Sequence, residues 1–139
     1  MHILDTDTLT HLHAEHPQVI EHLRRVLDPD VGISIVTKIE LLRGRFEYLL
    51  KAEDPASLLK AQQRLLRTEE LLAQIRIFLF DEKSIREFSR LNQHSRFGKI
   101  GRADLLIASI ALANRATLVT RNVRHFRQFP GLIIRNWVD

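Results

Sequence analysis

Short apolar runs alternate along the chain with longer stretches in which apolar residues recur every three or four positions. Short runs bounded by turn residues favour buried strands, whereas the wider spacing favours amphipathic helices. On this basis strands are predicted at residues 3–4, 32–36, 76–80, 116–119 and 132–134. Because helical segments separate the strands, the pattern predicts an α/β protein whose parallel sheet is covered by helices on both faces.

Capping residues and prolines set the predicted starts of the first helices. The first helix should end near Glu15, with Asp7 favoured over Asp5 as its N-cap, and Pro17 can open the second. Thr37 is expected to begin the third helix. The first strand therefore leads directly into a helix, which places Asp5 at the carboxyl end of that strand.

Two long helices are predicted on either side of Asp54 and Pro55, where the acid can cap and the proline can start the second of them. The simplest interpretation is a helical hairpin packed against the core. A groove for a partner chain or a second copy is the alternative. A helix capped by Asp81, a basic loop over residues 95–101 and a helix over residues 102–114 are predicted to follow.

The composition limits both the architecture and the chemistry. A length of 139 residues with 45% hydrophobic residues suffices for one core, so a single domain over residues 1–139 is expected. No apolar run approaches the ~18 residues of a membrane span, and no secretion signal is recognised, so we expect a soluble cytoplasmic protein. The absence of cysteine excludes disulfides and thiolate chemistry.

The charge balance indicates a class of partner. The chain has 21 Lys and Arg against 17 Asp and Glu, a net charge of +4. Such an excess favours a polyanionic partner, nucleic acid first. An ordinary solvated basic surface is the alternative explanation.

Three acidic residues stand where strands end or helices begin, namely Asp5, Glu40 and Asp104. Asp5 closes an apolar strand, where a carboxylate needs a partner. Glu40 has a local explanation, since its spacing from Thr37 is that of a capping box, and an acid in the first turn of a helix suits Asp104 equally well. If the three met at one sheet edge, they would repel each other unless a hard cation such as Mg²⁺ or Mn²⁺ were bound. Such a site would support metal-assisted hydrolysis of phosphodiesters.

Several short motifs occur in a familiar order and spacing. They are Leu4-Asp5-Thr6, Thr37-Lys38-Ile39-Glu40-Leu41, Asp104-Leu105-Leu106-Ile107-Ala108, Leu118-Val119-Thr120-Arg121-Asn122 and His125-Phe126. Through them the chain resembles PIN-domain ribonucleases of the VapC toxin type over nearly its full length. The resemblance implies a three-layer α/β/α sandwich and Mg²⁺- or Mn²⁺-dependent endoribonuclease activity on RNA, often tRNA or ribosomal RNA. It also implies homodimers and neutralisation by a small antitoxin protein.

The resemblance assigns roles to five of these residues. Asp5, Glu40 and Asp104 match the catalytic acidic triad, with Asp5 and Asp104 holding the metal most directly and Glu40 binding it or its water. Thr6 and Thr120 match supporting hydroxyls.

Asn122 departs from the family pattern, because many relatives have a fourth acid at this place. An amide is a poorer cation ligand, which puts a full two-metal site in doubt, although Asn122 could still orient water or a phosphate. Nearby cations are candidates for binding RNA phosphates, or simply solvated residues. These candidates are Arg43, Lys99, Arg102 and Arg121. No histidine is assigned a role.

Two other functions stay open. Asp5-Thr6-Asp7-Thr8-Leu9 resembles the opening motif of haloacid-dehalogenase phosphotransferases, in which the first Asp is the nucleophile and the second an acid/base. Leu9 breaks the last position of that motif, and its later motifs are not found. The second alternative is a basic module that binds RNA or a protein without catalysis, which Asn122 keeps open.

Overall fold

The structure is a computed structural model that describes residues 1–93 and 100–139. Its strands are β1 (His2–Leu4), β2 (Val31–Ser34), β3 (Arg76–Phe78), β4 (Thr117–Val119) and β5 (Ile133–Arg135). They form one sheet in the order β3-β2-β1-β4-β5, and all its neighbouring strands are parallel. The order puts β1 at the centre, between β2 and β4.

Helices pack on both faces of this sheet. They are α1 (Thr6–His13), α2 (Pro17–Val26), α3 (Ile35–Lys51), α4 (Pro55–Gln74), α5 (Glu82–Asn92), α6 (Arg102–Ala113) and α7 (Val123–Phe126). Within the described residues, no helix combines the length and apolarity needed to cross a bilayer.

Alternation along the central strands explains the two-sided core. Ile3 and Leu118 join a hydrophobic cluster with residues of α5, α6 and α7. Their neighbours Leu4 and Val119 join a second cluster, built mainly with α1, α2, α3 and α4. Successive side chains of a strand point to opposite faces, so two consecutive apolar residues are buried in different layers. The predicted three-layer α/β/α sandwich with a parallel sheet is therefore confirmed.

Gly32 allows β2 to approach β3. A Cβ atom at this position would lie 2.3 Å from the backbone oxygen of Arg76, a distance that no side chain can tolerate. Glycine is therefore required by the packing of the two strands.

The hairpin predicted around Asp54 and Pro55 is confirmed, since α3 and α4 pack against each other. Leu42 of α3 and Leu72 of α4 contribute to the second cluster. Between the helices, Arg45 Nε donates a hydrogen bond of 3.0 Å to the buried Thr68 Oγ1. The hairpin therefore combines apolar packing with one specific polar contact.

The main boundary errors concern strand ends. The strand predicted over residues 32–36 ends at Ser34, because the Ser34 side chain caps α3 and accepts a hydrogen bond of 3.2 Å from Thr37 N. The strand predicted over residues 76–80 ends at Phe78. Helix α3 therefore starts at Ile35 rather than at the expected Thr37, because the Ser34 cap commits the residues after it to helical backbone.

Candidate functional site

The carboxyl ends of the central strands define the candidate site. Asp5 follows β1, and its backbone N–H donates a hydrogen bond of 3.0 Å to Val119 O at the end of β4. The buried Thr8 Oγ1 donates to the same carbonyl at 3.2 Å. In parallel α/β sheets this edge is the usual ligand-binding edge, because loops and helix N-termini converge there. Asp5 thus lies at the junction of two neighbouring strands.

Asp5 is also the N-cap of α1, which corrects the expectation that Asp7 has this role. Asp5 Oδ1 accepts a hydrogen bond of 2.8 Å from Thr8 N, the third residue of the helix. Asp7 is already helical and exposed, and its side chain lies 3.6 Å from His11 Nδ1. The helix begins directly after the strand, so only Asp5 retains the extended backbone that an N-cap requires.

A hydrogen bond holds Glu40 next to Thr6, the residue that follows Asp5. Thr6 Oγ1 donates a hydrogen bond of 2.7 Å to Glu40 Oε1 and lies 3.2 Å from Thr37 Oγ1. The capping-box explanation of Glu40 is not realised, because Ser34 rather than Thr37 caps the helix. Glu40 lies instead in the second turn of α3 and is linked by Thr6 to the end of β1.

Asp104 has a partner that the sequence did not reveal. It lies in the first turn of α6, and its Oδ2 is 3.0 Å from Nε2 of His125 in α7. The two atoms are close but are not aligned as a hydrogen bond. The spacing of the histidines gave no indication of this contact, and only the position of His125 within the resembling motifs could have drawn attention to it.

Thr120 and Asn122 have different surroundings. Thr120 is fully buried, and its Oγ1 accepts a hydrogen bond of 3.0 Å from Asn122 N. Asn122 is exposed and is the N-cap residue of α7, although its side chain makes no capping hydrogen bond. Thr120 therefore shapes the turn after β4, whereas the amide of Asn122 faces solvent.

The predicted RNA-binding cations are exposed where they are described. Arg43 Nε lies 3.4 Å from Glu47, Arg102 lies 5.7 Å from the centre of the Phe88 ring, and Arg121 Nε lies 3.4 Å from Asp139. Asn136 and Arg121 hold the pKa of Asp139 below its ordinary value by hydrogen bonding. These surface contacts are weak enough to exchange for phosphate contacts. Lys99 lies outside the described residues.

The candidate ligands form two groups rather than one. Asp5, Thr6 and Glu40 make up the first, and Asp104 with His125 makes up the second. Over residues 1–93 and 100–139, no three His, Cys, Asp or Glu side chains are close enough together to hold a metal ion. The donors nevertheless have the chemistry that Mg²⁺ and Mn²⁺ prefer, since carboxylates and hydroxyls supply hard oxygen atoms.

Comparison with known proteins decides the family. The family described as PIN domain matches residues 2–132. The chain belongs to the PIN-domain family. Ribonuclease VapC2 of Rickettsia felis is a relative of this PIN domain, 29% identical over 99% of this chain and 98% of that protein.

Solved structures also resemble this PIN domain over nearly its full length. VapBC-1 from nontypeable Haemophilus influenzae gives a TM-score of 0.78 with 25% identity, covering 99% of this chain and 98% of that one. VapBC2 from Rickettsia felis, bound to a DNA fragment from their promoter, gives 0.73 with 28% identity, covering 98% of both chains. These similarities confirm the resemblance to VapC-type PIN ribonucleases. The roles of Asp5, Glu40 and Asp104 stay predictions.

Proposed function

We propose that this PIN domain is a divalent-metal-dependent endoribonuclease and the toxin of a toxin–antitoxin pair. The observation that carries the proposal is the 2.7 Å hydrogen bond from Thr6 to Glu40, because Thr6 directly follows Asp5 at the carboxyl edge of the sheet. The names of the full-length relatives, which are ribonucleases, support the same activity. RNA is the proposed substrate, with tRNA and ribosomal RNA as the first candidates.

Asp5 and Asp104 would hold the cation, with Glu40 as a further ligand or as a ligand of its water. A bound Mg²⁺ or Mn²⁺ lowers the pKa of water and offsets the charge that develops on a phosphodiester. Thr6 keeps the Glu40 carboxylate directed towards the end of β1. Asp104 would have to exchange its contact with His125, because among the described residues it forms no three-ligand cluster with Asp5 and Glu40.

A protein partner belongs to the same proposal. The solved structures that resemble this chain include VapBC assemblies. A cognate antitoxin is therefore the proposed partner, and a homodimer is the proposed toxin assembly. Co-expression with a candidate antitoxin, followed by co-purification, would test the first of these.

Two observations favour a second candidate function, a module that binds RNA without cleaving it. Among the described residues no three His, Cys, Asp or Glu side chains form a metal-binding cluster, and Asn122 stands where the family resemblance implies an acid in many relatives. The module should bind RNA equally well with and without divalent ions, whereas the nuclease should cleave only with them.

Cleavage of labelled total tRNA and ribosomal RNA in Mg²⁺ or Mn²⁺ tests the proposal. Asp5→Asn and Asp104→Asn should abolish cleavage while the fold is retained, because each removes a charged ligand. Asp7→Asn is the matched control, since Asp7 is exposed and lies two positions from Asp5. It should cleave like the wild type.

Full cleavage by Asp5→Asn or Asp104→Asn would contradict the assignment. Loss of activity in Asp7→Asn, together with a covalent aspartyl phosphate on Asp5, would favour the haloacid-dehalogenase alternative instead.

A further inference from the structure

A concave surface lies at the end of α6 opposite to Asp104, where the start of α5, the end of α6 and the first residue of the chain meet. It is open to solvent, with a volume of about 480 Å³, and its charged lining includes Lys83, Arg86, Glu87 and Arg115, together with Met1. We name this surface the distal basic pocket. Its volume is in the range of pockets that accept a nucleotide-sized group.

Positive charge dominates this pocket because its acid is already neutralised. The Glu87 carboxylate is paired with Arg90 at 2.7 Å, and the Met1 ammonium group is paired with Asp28 at 3.0 Å. Lys83, Arg86 and Arg115 are exposed. None of the three forms an ion pair within the described part of the chain. Lys83 contributes only slightly to the lowered pKa of Asp81, which is held down mainly by hydrogen bonds from Ser84.

Some cations elsewhere on the described surface are paired with an acid, whereas others, such as Arg24 and Lys60, are exposed without an ion pair. Arg25, Arg43 and Arg76 each lie beside a carboxylate that offsets their charge. Three uncompensated cations around one concavity repel each other, and an anion of more than one charge would relieve that repulsion. The side chains of Arg86 and Arg115 offer planar forks that match phosphate oxygens, and Lys83 adds a compact charge.

The position of the pocket indicates which phosphate could reach it. Helix α6 carries Asp104 in its first turn and ends at Ala113, after which Asn114 and Arg115 also line the pocket. Ten residues of helix cover ~15 Å. A nucleic-acid strand rises ~3.4 Å per nucleotide in a helical stem, so this distance corresponds to roughly four to five nucleotides.

We propose that the distal basic pocket binds backbone phosphates of the RNA on one side of the bond to be cleaved. The inference rests on the proposed ribonuclease function and deepens it. The pocket anchors a flanking segment along the α5–α6 layer, so that RNAs long enough to reach it bind more tightly than short ones. The contacts are to phosphates and therefore add affinity and register rather than base specificity.

RNA binding can test this without cleavage. The affinity for RNA would be measured by fluorescence anisotropy in EDTA over a range of salt concentrations. Two labelled RNAs would be used, a tRNA-derived stem of about 20 nucleotides and a four-nucleotide fragment. The pocket variant is Lys83→Gln/Arg86→Gln/Arg115→Gln. The control is Arg24→Gln/Lys60→Gln/Arg67→Gln, which removes one Lys and two Arg from exposed positions of α2 and α4.

The pocket variant should bind the long stem more weakly than the control does. Each lost phosphate contact should reduce the magnitude of the negative slope of log K against log salt by ~0.7–0.9, hence by ~2–3 for the three contacts. Affinity for the four-nucleotide fragment should fall by the same small factor in both variants. Thermal unfolding of both variants by circular dichroism would establish that neither loses the fold.

Equal slopes for the pocket and control variants would overturn the proposal, and they would leave the ribonuclease assignment intact if the wild type cleaves RNA. A wild type that binds the stem through the pocket but cleaves nothing would support the pocket and refute the nuclease. Titration with AMP tests whether the pocket binds a mononucleotide instead. Saturable AMP binding that is lost in the pocket variant, with unchanged stem binding, would assign the pocket to a mononucleotide and overturn the RNA proposal.

Discussion

At the scale of single residues, Thr6 has the most specific contact in the candidate site. Its hydroxyl donates to Glu40 across 34 positions of sequence, while its backbone begins α1. Thr10, one turn later in the same helix, directs its hydroxyl back to Thr6 O. The two threonines therefore differ in whether the side chain fixes a candidate ligand or only the helix.

This difference predicts the effect of removing each hydroxyl. Thr6→Val should slow RNA cleavage roughly fivefold, because a hydrogen bond worth ~1 kcal/mol no longer positions Glu40. Thr10→Val should leave the rate unchanged. Initial rates at saturating RNA would decide the matter, and equal rates for the two variants would remove Thr6 from the site.

Leu27 is a residue whose backbone conformation conflicts with its side chain. It follows α2 in the left-handed region, with φ at 47°, and 89% of it is exposed. The side chain therefore has little packing to lose, whereas its Cβ raises the energy of the conformation.

Leu27→Gly should consequently increase the free energy of unfolding by ~0.5–1 kcal/mol. Leu59→Gly is the opposite case, because Leu59 is 62% exposed but lies inside α4. Glycine there should lower stability by ~1 kcal/mol. Urea titrations of both variants would measure the two shifts, and a loss of stability in Leu27→Gly would disprove the expected strain.

At the scale of secondary-structure elements, two glycines show how context decides the same substitution. Gly32 lies in β2 with the Arg76 backbone against it, whereas Gly44 lies in α3 with nothing within 4 Å of an added Cβ. In the strand, methyl addition has no room. In the helix, it only restricts the unfolded chain.

Gly32→Ala should lower the free energy of unfolding by ~3 kcal/mol or more, since β2 and β3 must separate. Gly44→Ala should raise it by ~1 kcal/mol. Chemical unfolding would test both, and a neutral Gly32→Ala would mean that the two strands can shift without cost.

At the scale of the whole molecule, Asp28 connects the start of the chain to the loop before β2. Its Oδ2 lies 2.5 Å from His2 Nδ1 and 3.0 Å from the Met1 ammonium group, and Asp30 N donates to its Oδ1 at 2.8 Å. The hydrogen bond with His2, followed by that from Asp30, holds the pKa of Asp28 far below its ordinary value. The carboxylate thus stabilises the central strand at the edge opposite to Asp5.

A depressed folded-state pKa fixes the sign of the pH dependence. The stabilisation by Asp28 should be complete above the unfolded-state pKa of ~3.9 and should be lost as the pH falls from there towards the folded-state value. Asp28→Asn should therefore lower the free energy of unfolding at pH 7, and the deficit should shrink below pH ~4. Urea unfolding across this range would test it, with Glu53→Gln as an exposed control. A deficit independent of pH would contradict the linkage.

Much of the architecture followed from local patterns. The apolar residues Ile3 and Leu4, the caps at Asp54 and Asp81, and the alternation of strands with helices predicted the parallel sheet and the hairpin. Strand ends were less certain, as Ser34 shows, because a side-chain cap competes with continued extension.

The sequence by itself determined which segments form strands and helices and that Asp5 follows the first strand, because burial of short apolar runs and helix capping act over a few positions. Only the tertiary structure decided that Thr6 reaches Glu40, that His125 lies beside Asp104, and that Lys83, Arg86 and Arg115 border one pocket. Those meetings join distant segments, and their geometry depends on the strand order and on how the helices pack, which no local pattern specifies.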